Sequence, residues 1–194
     1  MDADGLTFAC ATRAEERAAR RAGLPTALIG LGGANGVPPG GLVSFGLAGG
    51  LDGLESGTVL DVRRVVGEDG TVLWEGPGLG VPGARPATVV AAGGVVDAPA
   101  DRRRLFERTG AEAVDLESGA LARTGRLRGG LRVISDTPER TLQGLWKGVT
   151  PQGRYDWVAL AAAFSRSPLG CGRAALDGIR ALRRLTAAAR AVAE

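Results

Sequence analysis

Residues 113–123 read AVDLESGALAR, and residues 131–140 read LRVISDTPER. Each stretch is a short apolar run that delivers a carboxylate at its end, and both lie among Gly and Ala. That is the pattern of a buried strand feeding a small pocket. Two carboxylates brought together in this way suit acid/base chemistry or the binding of hydroxyl groups. Working outward, residues 117–124 (ESGALART) read as a short helix and residues 131–136 (LRVISD) as the strand after it.

Toward the N-terminus, residues 6–12 (LTFACAT) read as a buried strand and residues 13–23 (RAEERAARRAG) as a helix closed by glycine. A strand followed directly by a helix opens an α/β fold. Residues 24–33 (LPTALIGLGG) read as a second strand ending in a glycine turn, followed by a Gly/Pro loop. Residues 41–50 (GLVSFGLAGG) read as a strand running into a glycine-rich turn. Residues 58–66 and 70–74 read as a β pair around the turn EDG. Residues 76–86 are Gly/Pro-dense and irregular, and residues 87–92 (ATVVAA) form another strand. Residues 99–109 (PADRRRLFERT) read as a helix with Pro near its first turn. From 173 to 192 the residues Leu176, Ile179, Leu182, Leu185, Ala189 and Val192 recur at three- or four-residue spacing. That spacing predicts an amphipathic helix with its apolar face on the domain. The alternation, unbroken by repeat or linker, predicts one domain over residues 1–194 with a three-layer α/β/α architecture around its sheet.

Composition narrows the chemistry. With 194 residues, 44% of them hydrophobic and 23% charged, the chain has a globular composition and a single buried core. Its 24 basic residues nearly balance 21 acidic ones, and few aromatic side chains are available to stack bases. No nucleic-acid partner is expected. The absence of histidine removes Ser-His-Asp, Cys-His and His-metal mechanisms together. Cys10 and Cys171 lack metal-ligand spacing, and no cofactor is implied. Met1, Asp2 and Asp4 give no basic leader, and no run approaches the ~18 apolar residues of a membrane span, so a soluble cytoplasmic protein is expected.

Each candidate carboxylate has a structural alternative. Glu117 opens a helix, where a carboxylate offsets the helix dipole, or else it accepts hydrogen bonds from a vicinal diol. Asp136 begins the D-x-x-E stretch DTPE with Pro inside it, which a helix cap would explain. Glu15, one turn into the first helix, reads as solvated. The segment Ser44 to Gly50 (SFGLAGG) either presents backbone N–H groups to a phosphate or sugar or is a tight turn. It lacks the Lys-Ser/Thr pair of a Walker loop and the spacing of a dinucleotide fingerprint. The last helix carries Arg173, Arg180, Arg183, Arg184 and Arg190, which raises contact with a membrane surface as an alternative to packing on the core.

LTFACAT with AEE, SFGLAGGLDGLESGTVLDVRRVV, GAEAVDLESGALAR and RVISD occur in the order seen in the nucleoside phosphorylase and nucleosidase superfamily, which the chain resembles over most of its length. That superfamily includes purine nucleoside phosphorylases and methylthioadenosine/S-adenosylhomocysteine nucleosidases. SFGLAGGLD, AVDLES and the tail LWKGVTPQGRYDWVALAAAFSRSP resemble most nearly the hopanoid-associated phosphorylases, which act on adenosylhopane. The resemblance implies a phosphorylase/hydrolase-like fold with a mixed central sheet and cleavage of the N-glycosidic bond of a purine nucleoside, such as a 5′-substituted adenosine. It implies that Glu117 holds the ribose hydroxyls beside Leu116, and that Asp136, oriented by Ser135, acts at purine N7. Glu15 would activate water, and residues 93–97 (GGVVD) would form a wall for the base. Ser44, Gly46, Leu47, Ala48 and Gly49 would form the phosphate or sugar side. A small-molecule nucleoside and a homo-oligomer are implied as partners. Many phosphorylases carry Arg and Ser where this chain has Ser44 and Leu47, so phosphate and water both stand as nucleophile. A catalytically degenerate nucleoside-binding or assembly protein is the rival reading.

Overall fold

A computed structural model describes residues 5–51 and 53–193. Met1, Asp2, Asp4 and Asp52, which enter the sequence reading, lie outside the described residues. The chain runs β1 (Leu6–Cys10), α1 (Arg13–Arg21), β2 (Thr26–Leu28), β3 (Gly41–Gly50), β4 (Val59–Gly67), β5 (Val72–Glu75), β6 (Arg85–Ala91), α2 (Pro99–Thr109), β7 (Ala113–Asp115), α3 (Ser118–Ala122), β8 (Leu127–Asp136), α4 (Trp157–Arg166) and α5 (Pro168–Ala193).

The eight strands form one mixed sheet. Strand β3 runs parallel to β1 and β8 and antiparallel to β7, while β4 is parallel to β6 and antiparallel to β5 and β8. Because β6 also pairs with β7, the pairings β3–β8–β4–β6–β7–β3 close a ring. Side-chain alternation separates the faces. Phe8, Val43, Phe45, Leu131 and Val133 pack with Ala18 and Ala19 of α1 and with Ala181, Leu185 and Ala189 of α5. Ala9, Leu42 and Ile134 point the other way, toward Leu121 and Ala122 of α3. Leu105 of α2 packs on Val66, Val90 and Val114 in a third cluster. The three-layer expectation holds, with a sheet that closes on itself.

Several local expectations give way. The stretch Ser44–Gly50 is not a turn, because β3 continues to Gly50 and both of its edges are paired along the way. The second strand shrinks to three residues, and Leu31–Gly33 forms a single 3-10 turn. Helix α4, capped by the Asp156 carboxylate on the N–H groups of Val158 and Ala159, has no counterpart in the sequence reading. Helix α5 starts five residues earlier than its apolar periodicity indicates and buries Cys171, Ala181, Leu185 and Ala189. Leu176 and Ile179 remain 53% and 48% exposed, because the first half of α5 lies at the edge of a cavity rather than on the sheet.

Candidate active site

The ends of β1, β3, β7 and β8 surround a cavity of about 570 Å³ lined by Glu15, Leu47, Ala48, Gly49, Leu116, Glu117, Ser135 and Asp136. Residues far apart in sequence therefore meet. Gly94, Val95 and Val96, from the stretch expected to hold the base, line it as well.

Glu15 is nearly fully buried, against the expectation of a solvated residue. Thr12 and Glu15 form a reciprocal capping box at the start of α1. The Thr12 N–H and hydroxyl donate to Oε2 at 2.8 and 3.0 Å, and the Leu47 N–H donates to Oε1 at 2.7 Å. Gly46 makes this approach sterically feasible. A Cβ there would lie 2.3 Å from Glu15 Oε1 and 2.6 Å from Arg132 Nη1.

Glu117 precedes α3 but makes no capping hydrogen bond. Asp115 takes that task by accepting from the Ser118 N–H at 3.0 Å and from its hydroxyl. Released from capping, Glu117 accepts from the Gly32 N–H at 3.2 Å and faces Arg132 Nη2 at 3.5 Å. Burial pushes its pKa up to about 8. Arg132 opposes that shift, and Asp115 and Glu15 reinforce it. No helix follows Asp136, so a cap does not account for it either. Its carboxylate accepts from the Ser135 hydroxyl and pairs with Arg102. Burial raises its pKa above the ordinary range, against the pull of Arg102 and Ser135.

Two fully buried arginines, neither marked by the sequence reading, organise these acids. Arg132 of β8 donates to Ser44 Oγ at 2.6 Å and pairs with Asp115 at 2.6 Å. Burial works against its charge, and Asp115, Glu117 and Glu15 outweigh burial and keep it cationic. Ser44 is fully buried, its hydroxyl engaged by Arg132 and by Ser118 at 2.9 Å. Arg102 of α2 donates to the carbonyls of Val96 at 2.9 Å and Gly50 at 3.1 Å and holds Asp136. An arginine between apolar residues, as in LRVIS, is the one local signal that could have exposed Arg132.

The sheet and its helices match the α/β fold of solved nucleosidase structures. Among solved structures the chain is similar to futalosine hydrolase of Helicobacter pylori, with a TM-score of 0.59 at 14% identity over 90% of this chain and 96% of that one. It is similar to the 5′-methylthioadenosine/S-adenosylhomocysteine nucleosidase of H. pylori, with a TM-score of 0.58 at 13% identity over 90% and 97% of the two chains. The nucleosidase of Streptococcus pneumoniae gives a TM-score of 0.57 at 13% identity over 96% and 98%. No family model matches the sequence, and no curated protein matches it. At these identities the likeness is one of fold.

Proposed function

We propose that this chain hydrolyses the N-glycosidic bond of a purine nucleoside, an adenosine with a bulky apolar 5′ substituent, in the cytoplasm and without a metal or organic cofactor. The convergence of Glu15, Glu117 and Asp136 on one cavity carries the reading. Supporting it, the nucleosidases of H. pylori and S. pneumoniae share the fold.

Each acid has a task its surroundings suit. A carboxylate accepts about four hydrogen bonds. Glu15 already makes three, all to groups that fix its position, and the remaining lone pair takes a proton from water. Glu117 spans the ribose O2′ and O3′ hydroxyls next to Leu116. Asp136, its carboxyl raised by burial, donates its proton to N7 so that the purine leaves neutral. The N9–C1′ bond breaks, the water oxygen bonds to C1′, and nearby carboxylates stabilise the oxocarbenium-like sugar between these events.

Water is favoured over phosphate because the nearby cations are already engaged. Among the described residues the one basic side chain in the lining, Arg102, is held by Asp136 and by the carbonyls of Val96 and Gly50, and the buried Arg132 is held by Asp115 and Ser44. Apolar side chains beyond the acids, among them Leu142, Leu160 and Leu182, suit an apolar 5′ group.

Incubating the protein with 5′-substituted adenosines, with and without phosphate, tests this reading. Free adenine and free sugar at a phosphate-independent rate are expected. A sugar 1-phosphate product overturns the choice of water, and nucleoside binding without adenine release assigns the degenerate reading instead.

A further inference from the structure

Eight of the nine large apolar side chains exposed among the described residues lie between Trp146 and Ile179. Val158 and Leu169 are 81% and 82% exposed and Trp157 is 74% exposed. The same segment concentrates charge. Residues 140–190 hold nine basic and two acidic residues, while the whole chain is only +3. Of the two acids, Asp177 is buried against Arg140 and Arg180, and Asp156 caps α4. On α5 the spacing of Leu169, Arg173, Leu176, Arg180 and Arg183 places apolar and basic side chains along one side of the helix, and all five are exposed.

We propose that this face, built from the turn Leu145–Gly148, α4 and α5, seats the protein on an anionic lipid surface with the mouth of the cavity opening into it. Exposed aromatic and aliphatic side chains beside arginines are the chemistry of interfacial binding, in which apolar groups enter the acyl boundary and cations meet anionic headgroups. No helix among the described residues is long and apolar enough to cross a membrane, so the contact is peripheral. Trp146, Tyr155, Trp157, Phe164 and Ile179 are both exposed and part of the cavity lining, so the face and the cavity mouth are one surface. In combination with the proposed function, on which this clause rests, an amphiphilic nucleoside enters from the lipid with its apolar 5′ group still shielded from water.

Charge decides against the other occupants. A twofold contact between two copies sets the same patch against itself, and here that brings two strongly basic surfaces together, a juxtaposition that disfavours association. Assembly with further copies, which the family resemblance implies, then uses another face. Nucleic acid answers the arginines and aromatic rings but not the aliphatic Val158, Leu169, Leu176 and Ile179.

The test is co-sedimentation of the full chain with phosphatidylcholine vesicles and with vesicles that also contain phosphatidylglycerol. Binding to the anionic vesicles is expected, weakened as salt rises from about 0.1 M to about 1 M and screening shortens from about 10 to about 3 Å. The double variant Val158→Glu/Leu169→Glu should bind at least ~10-fold more weakly, yet cleave a water-soluble 5′-substituted adenosine at the wild-type rate. Arg173→Ser/Arg183→Ser, which leaves the apolar groups in place, should lower the salt dependence. Equal binding to neutral vesicles, or no binding, overturns the proposal. So does a wild-type dimer that the Val158/Leu169 variant converts to monomer, because a second copy then occupies the face. Vesicle binding without adenine release leaves the lipid face standing and removes the proposed reaction. Adenine release without vesicle binding does the reverse.

Discussion

Replacing Glu117 by Gln should stabilise the ligand-free protein, and increasingly so as pH rises. In the folded chain Glu117 is buried beside Asp115 and Glu15, and its pKa rises from 4.5 to about 8 despite Arg132. The folded state therefore keeps a proton that the unfolded chain has lost, and stability falls as pH climbs between those two values. Each pKa unit corresponds to ~1.4 kcal/mol, so the whole window carries up to ~5 kcal/mol. Glutamine does not titrate and escapes this cost. Urea unfolding of both proteins at about pH 5 and about pH 8 measures it. The two stabilities should be similar at the lower pH, with the variant ahead by several kcal/mol at the higher. Stability curves that run parallel across this range would mean that Glu117 titrates as an ordinary carboxylate in the folded protein.

Two further predictions concern the supports of the site. Gly46→Ala introduces a Cβ into space held by the Glu15 carboxylate and Arg132. Displacing the base by about an ångström should lower kcat/KM by ~10²-fold, as misplacement of catalytic groups does, and steady-state kinetics would detect it. Arg102→Ala removes the cation that holds the Asp136 carboxyl down. An acid with a higher pKa stays protonated to higher pH, so the alkaline limb of the pH–rate profile should move up, and less so for Arg102→Lys. A uniform loss of rate with the limb unmoved would make Arg102 a packing residue.

What the sequence disclosed depends on how local the cause was. The bounds of helix α2 are legible in the sequence because Pro99 and the left-handed Gly110, with φ of 65°, mark its two ends in the chain itself. The carboxylates Glu117 and Asp136 were legible as strand-end acids in a recognisable order. The glycines of β3 look like a turn in the sequence because their cause is remote. Gly46 makes room for a side chain from α1 and another from β8, and Gly49 lies beside Asp136 and Arg102. For the same reason Arg102 stayed hidden, since only the fold distinguishes it from the other arginines of a chain whose sole lysine is Lys147. Helix α4 has its cap at Asp156, but its apolar residues face a cavity and solvent instead of the core, so core-facing periodicity does not reveal it.

Adenine release by the Asp136→Asn protein, with a 5′-substituted adenosine as substrate, tests most sharply whether Asp136 is the acid that protonates N7. Asparagine keeps the shape of the side chain but has no proton to give to N7. The wild-type protein should release adenine and the variant should do so at least ~10²-fold more slowly in kcat, the usual effect of losing a positioned general acid. Turnover by Asp136→Asn within a few-fold of wild type would show that Asp136 is not the acid.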